Sequence, residues 1–167
     1  GITGPLTTGT NYRYEGGGGY PGTSGDCDGD LVPAETCTIA TQFVPLTNVT
    51  LTDTVTLNYN NGINAESNTQ ALTGLGRNPA NLAISGAGTF DYTSHVLTVA
   101  TTQTFTVTNS GDVSTNTLAV TALGAPFTFL GGAYPGTSGT CGDPILVGTC
   151  TIRVTFTPTA AVLSADT

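Results

Sequence analysis

The stretch Tyr20-Pro21-Gly22-Thr23-Ser24-Gly25 occurs a second time as Tyr134-Pro135-Gly136-Thr137-Ser138-Gly139. Two cysteines follow each copy, Cys27 and Cys37 after the first and Cys141 and Cys150 after the second. The offset is 114 residues at the first cysteine of each pair and 113 at the second. A fixed period of this kind indicates an internal repeat, so the chain of 167 residues holds about one and a half units.

The composition around this repeat is typical of strands. Thr occurs 35 times and Gly 23 times. Thr is β-branched and favoured in strands, whereas Gly marks turns. In the run 151–157, Ile152, Val154 and Phe156 point to one side and Thr or Arg to the other, as in a strand with one buried face. We therefore predict an all-β fold.

The predicted strands fall into two groups separated near Asn78-Pro79. The first group lies near 10–15, 36–44, 52–60 and 68–74, and the second near 81–92, 102–109, 115–123, 127–130 and 149–157. On this division residues 1–76 are the C-terminal half of one repeat, and residues 77–167 are the N-terminal and central strands of the next. A sheet with one buried side needs a packed partner, so we expect the incomplete units at both ends to be completed by another segment or subunit that donates strands.

The four cysteines form two short-range pairs, which favours the disulfides Cys27–Cys37 and Cys141–Cys150. A zinc site is disfavoured because His95 is the single histidine in the sequence. A disulfide that closes a loop of about ten residues stabilises a fold by about 2 to 3 kcal/mol. Disulfides also indicate an oxidising compartment.

One cluster of carboxylates has the spacing of a cation site. Asp26, Asp28 and Asp30 alternate along the first cysteine loop and supply oxygen ligands of the kind that calcium takes. The matching loop of the second unit begins Thr140-Cys141-Gly142-Asp143, so the cluster is not part of the repeat. We expect a solvated acidic turn and no cofactor, with calcium as the alternative reading.

The other candidate motifs lack the context that their chemistry needs. Ser94 and His95 stand together without an oriented acid or a Gly-x-Ser-x-Gly turn. The glycine run 16–19 is not followed by the Lys and helix of a phosphate-binding loop. We therefore expect that the chain is not an enzyme.

Charge and hydropathy exclude two classes of partner. The net charge is −8, and the three cationic side chains are Arg13, Arg77 and Arg153. Nucleic-acid binding requires many phosphate contacts from Lys and Arg, so we expect none. No apolar run approaches the roughly 18 residues of a membrane span, so we expect no membrane insertion.

A family resemblance follows from the longer motifs. They read PFTFLGG over 126–132, GTCTIRVTFTPT over 148–159, TFTVTNSG over 104–111 and TDTVTLNYNNG over 52–62. As a set they resemble the bacterial Ig-like repeats of the ASPM/SPD-2/Hydin (ASH) superfamily, of the choice-of-anchor D type. The resemblance implies tandem immunoglobulin-like β-sandwich repeats in large secreted or cell-surface bacterial proteins, without catalytic residues.

These observations lead to one expected function and one alternative. We expect a structural building block of an extracellular filament, stalk or giant cell-surface repeat protein, assembled head to tail by β-sheet completion. Its partners are then copies of itself or adjacent repeats. The alternative is an adhesin or virion-fibre module that binds surface glycans or a receptor. Tyr20 and Tyr134 recur at one repeat position, which fits packing under the cysteine loop better than sugar stacking.

Overall fold

The computed structural model describes residues 3, 4, 6, 11–86 and 88–166. In this part of the chain the structure is nearly all β, and its one helical element is a 3₁₀ turn at Glu15–Gly17. No helix among these residues is long and apolar enough to cross a membrane. The strands are β1 (Tyr12–Tyr14), β2 (Thr41–Phe43), β3 (Thr50–Asn60), β4 (Ala65–Leu75), β5 (Leu82–Ile84), β6 (Thr101–Asn109), β7 (Phe127–Phe129) and β8 (Gly148–Phe156).

The chain divides into two compact units, unit 1 (Gly1–Arg77) and unit 2 (Asn78–Thr167). In unit 1, β1 pairs with β2, and β3 pairs with β4 in a long hairpin, both antiparallel. The hairpin turns at Asn61-Gly62, where Gly62 has φ 94° and the side chain of Asn61 accepts the amide of Ile63. Thr3 and Leu6 form isolated bridges to the free side of β3.

Unit 2 contains one four-stranded antiparallel sheet in the order β5-β6-β8-β7. The alternation predicted for 151–157 is confirmed, since Val154 and Phe156 are buried and line one side of the sheet. Thr155 points to the other side and its hydroxyl lies 3.1 Å from that of Thr102. A second apolar cluster forms where the cysteine loop covers the sheet; its members are Val107, Cys141, Ile145, Leu118, Tyr134, Cys150 and Ile152.

Two predicted strands of unit 2 are wrong. The first is shorter than predicted, and the second does not form. The strand predicted at 81–92 is β5 alone: the amide of Ser85 still bonds to Thr106, and Gly86 then turns the chain with φ 75°. Residue 87 of that prediction lies outside the described residues. The segment 115–123 is irregular, with a bend at 116, and belongs to no sheet. Its amides bond to a loop instead, with that of Thr115 on Ile145.

The predicted strand 36–44 of unit 1 is also shorter, as β2 alone. The backbone before β2 is used by the cysteine loop, because the carbonyl oxygen of Thr38 accepts the amides of Asp26 and Cys27. The first residue of the prediction at 10–15 lies outside the described residues, and the remainder is β1.

Candidate functional site

The repeated sequence motif folds into the same loop in both units. Each Tyr-Pro bond is cis, and Gly22 and Gly136 follow it with φ of 95° and 92°. The backbone hydrogen bonds of the two loops correspond one to one, each from the amide of the first residue named to the carbonyl oxygen of the second. They are Ala40 to Pro21 (2.8 Å) and Arg153 to Pro135 (2.8 Å), Gly25 to Gly22 (3.0 Å) and Gly139 to Gly136 (2.7 Å), and Asp26 to Thr38 (3.0 Å) and Thr140 to Thr151 (2.9 Å). We call each of these loops with its cystine a loop–cystine module, residues 20–40 in unit 1 and 134–153 in unit 2.

The disulfide keeps each module closed against its strand. Cys27 pairs with Cys37 and Cys141 with Cys150, with Cα atoms 4.9 and 4.8 Å apart. Both predicted pairs are therefore present, and they account for all four cysteines of the sequence. Cys27 and Cys141 are 3% and 2% exposed, so the module also contributes to the apolar core.

The recurring tyrosine is the first residue of each module, and its ring packs on a neighbouring aromatic ring. Tyr20 meets Tyr14 edge to face with ring centroids 5.7 Å apart, and Tyr134 meets Phe129 in the same way at 5.6 Å. Burial raises the pKa of both tyrosines above the ordinary value. Tyr134 packs on the cluster that contains Cys141, so the predicted packing role is confirmed there.

The structure gives Asp26 a backbone partner. Its Oδ1 accepts the amide of Thr38 at 2.5 Å, and at the equivalent position the hydroxyl of Thr140 accepts the amide of Thr151 at 2.9 Å. Among the described residues, no three His, Cys, Asp or Glu side chains form a group able to hold a metal. Asp26, Asp28 and Asp30 are therefore not brought together as ligands. The sequence does hold a signal for this hydrogen-bonding role of Asp26, because the repeat places Thr140, another side chain that can accept a hydrogen bond, at the same position.

His95 lies in the irregular segment before β6. Its Nδ1 is 3.1 Å from the hydroxyl of Thr101, and its ring meets Phe156 edge-on with centroids 6.3 Å apart. Ser94 is exposed. The histidine thus anchors its segment to the sheet through a hydroxyl and a ring.

Unit 2 also contains an open apolar groove of about 1550 Å³. Its floor is the apolar side of the sheet, including Phe127, Val154 and Phe156, and Tyr92 stands on one wall. Leu163 also lines the groove and is 97% exposed. The sequence predicted an uncovered apolar face. It did not predict which residues line the groove, because that depends on how the irregular segments 88–97 and 158–166 fold against the sheet. Such a surface binds other apolar side chains, because burying apolar area is favourable.

Together these features define an all-β protein of antiparallel sheets, consistent with a β-sandwich, with one disulfide in each unit. Searches for relatives found no matching protein-family model, no matching curated protein and no matching solved structure.

Proposed function

We propose that this chain is a structural building block of an extracellular filament, stalk or giant cell-surface repeat protein. In this proposal immunoglobulin-like units follow one another and complete each other's sheets, as the resemblance to the ASH superfamily implies. One observation carries the proposal: the loop–cystine module is built twice, with the same backbone hydrogen bonds. Repeated supersecondary units that pack on their neighbours are typical of extended arrays.

The two disulfides support a place outside the cell. Cystines persist in oxidising compartments and are rare where thiols are kept reduced. Each bond closes a loop at sequence separation 10 or 9 and anchors it next to a strand. A protein exposed to an uncontrolled environment gains from such covalent closure because it restricts the unfolded chain.

The sheet of unit 2 supports a mechanical role. β6 and β8 pair antiparallel over nine residues, from Thr101 opposite Phe156 to Asn109 opposite Gly148. A ladder of this length must break many hydrogen bonds together before the strands separate. The groove beside this sheet supplies the surface on which a neighbouring β segment completes the unit.

The test is whether the native protein is a polymer or a monomer. We expect electron microscopy to show fibres or polymers, and intact mass spectrometry to show either chains far above 16.8 kDa or subunits of that mass that assemble. A glycan array is run in parallel, because specific hits without polymer would favour the binding-module alternative. A compact monomer in solution, with all backbone amides of the sheets protected from exchange, would contradict the proposal.

A further inference from the structure

The two units place a pair of contacting aromatic rings at the same position. In unit 1, Tyr12 lies opposite Phe43 on β1 and β2, with ring centroids 4.7 Å apart. In unit 2, Phe127 lies opposite Phe156 on β7 and β8, with centroids 5.0 Å apart. In both units this pair precedes the loop–cystine module on one strand and follows it on the other. The rings therefore mark equivalent places in the two units.

In unit 1 the hairpin β3–β4 covers the rings. The hydroxyl of Tyr12 donates a hydrogen bond to the carbonyl oxygen of Leu51, at 3.1 Å. Gly74 lies opposite Leu51 on β4, and a Cβ there would stand 2.7 Å from the ring of Phe43. The rings thus press directly against the backbone of both hairpin strands, so the hairpin closes this end of unit 1.

In unit 2 the equivalent rings line the open groove. Tyr92 contacts both of them, with its centroid 5.8 Å from that of Phe127 and 5.3 Å from that of Phe156. Within residues 78–86 and 88–166, no strand pair lies over them. Phe156 is only 8% exposed, so Tyr92 and its irregular segment cover part of these rings, and the rings border the groove where unit 1 has a strand pair.

A second observation concerns the strand that flanks the hairpin. In unit 1, Thr3 and Asn58 exchange both backbone hydrogen bonds, at 3.0 and 2.8 Å, and Leu6 bridges to Val55. Tyr12 and Phe127 are 115 residues apart, and the same offset places Leu118 at the position of Thr3 and Thr121 at that of Leu6.

The segment around Leu118 and Thr121 is irregular and has no ladder partner among the described residues. The amide of Leu118 donates instead to the side chain of Asp143, at 3.1 Å. Leu118 and Thr121 both line a second cavity, of about 370 Å³. This segment therefore presents an unpaired edge where unit 1 pairs with its hairpin.

We infer that the groove of unit 2 is the docking site of a β-hairpin of the β3–β4 type, supplied from outside residues 78–166. Its first strand pairs antiparallel with 118–121, with the position of Asn58 opposite Leu118 and that of Val55 opposite Thr121. Its apolar side covers Phe127 and Phe156. This inference rests on the proposed function and names the structure that joins one unit to the next.

A synthetic peptide of residues 49–76 supplies this hairpin to the full chain. For trapping, the chain carries Thr121→Cys and the peptide Val55→Cys. Residues opposite each other at a non-hydrogen-bonded site have Cα atoms about 4.5 Å apart, within the range of a disulfide. Thr121 is exposed, so the substitution leaves the fold intact. The native cysteines are all paired and do not compete.

The matched control is the peptide with Thr54→Cys. A shift of one residue along a strand turns the side chain to the opposite face, so we expect it to form about tenfold less mixed disulfide than Val55→Cys. The unmodified peptide should also slow hydrogen exchange in 117–124 of the unmodified chain. A peptide with Leu57→Asp should do neither, because it places a charge on the apolar side.

Equal trapping by the two cysteine peptides, or protection confined to unit 1, would overturn the inference. Protection in unit 1 alone would mean that the peptide exchanges only with the hairpin already there. Failure of the proposed function is visible separately. If the peptide docks but the native material forms no polymer, sheet completion stands and the filament does not. If polymers form but the peptide does not dock, the filament stands and sheet completion by this hairpin does not.

Discussion

The carboxylate of Asp26 accepts a hydrogen bond from the backbone amide of Thr38, at 2.5 Å. The bond joins the first cysteine loop to the residue after Cys37. In unit 2 the equivalent hydrogen bond is accepted by a hydroxyl, that of Thr140, from the backbone amide of Thr151. Two different side chains thus meet one backbone requirement of the loop–cystine module.

This relationship predicts which substitutions of Asp26 are tolerated. Asp26→Ala should cost about 0.5 to 1.5 kcal/mol, because the amide of Thr38 loses its side-chain acceptor. Asp26→Thr copies the residue of unit 2 and should recover most of that loss. The free energy of unfolding of unit 1 in urea measures both. A chelator should leave the wild-type midpoint unchanged, and a rise on adding calcium would show that the carboxylates bind the ion after all.

Gly22 and Gly136 should resist substitution by Ala. Both have φ in the left-handed region, and a Cβ would overlap the carbonyl oxygen of Ala40 or Arg153. Backbone strain of this kind costs about 1 to 3 kcal/mol, to which the overlap adds. Thermal unfolding measures the loss. Gly19→Ala is the control, since a Cβ there meets nothing within 4 Å; an equal loss in the control would refute the explanation.

Each disulfide should stabilise its own unit. Replacing Cys27 and Cys37 together by Ser, or Cys141 and Cys150 together, should lower the unfolding free energy of that unit by about 2 to 3 kcal/mol. Alkylation followed by mass spectrometry should label none of the four cysteines before reduction and all of them after it. Free thiols in the native chain would contradict both the pairing and the inferred oxidising compartment.

Tyr92 should make unit 2 sensitive to alkali. Burial raises the pKa of its hydroxyl above the ordinary value of 10.0, and the hydroxyl donates to the carbonyl oxygen of Val154 at 3.0 Å. The folded chain therefore holds this proton more tightly than the unfolded chain. Its contribution to stability is fully present below pH 10.0 and is lost as the pH rises from there through the raised pKa.

The variant Tyr92→Phe tests this directly. It should cost about 1 kcal/mol near neutral pH, where the hydrogen bond is lost. Above the ordinary tyrosine pKa its stability should fall less steeply than that of the wild type. Urea midpoints measured from neutral to alkaline pH give both slopes. The slope for unit 2 should not vanish, because burial also raises the pKa of Tyr134; identical slopes would exclude Tyr92 as a cause.

The sequence predicted those elements whose pattern is local. β6 was expected at 102–109 and is Thr101–Asn109, and β8 was expected at 149–157 and is Gly148–Phe156. In both strands apolar and polar residues alternate, and the alternation alone defines the buried side. The modules were predictable for a different reason, because their sequence occurs twice.

Features that depend on distant partners were not predictable. The segment 115–123 has the composition of a strand, but a strand forms only where a neighbour pairs with it. The ring pair Tyr12–Phe43 joins residues 31 positions apart and follows from the pairing of β1 with β2. The sequence groups Asp26 with Asp28 and Asp30 because they alternate within five residues, whereas its partner Thr38 lies across the loop.

The cystine of each module also sets the path that force takes through the chain. When the ends of unit 1 are pulled, tension passes from Cys27 to Cys37 through the sulfur atoms, and the residues between them bear none. At about 3.4 Å per residue, the bond removes about 30 Å from the contour length that a single unit can release. In an array of the proposed kind, each unit therefore lengthens by about 30 Å less when it unfolds, and the loop between its cysteines stays closed.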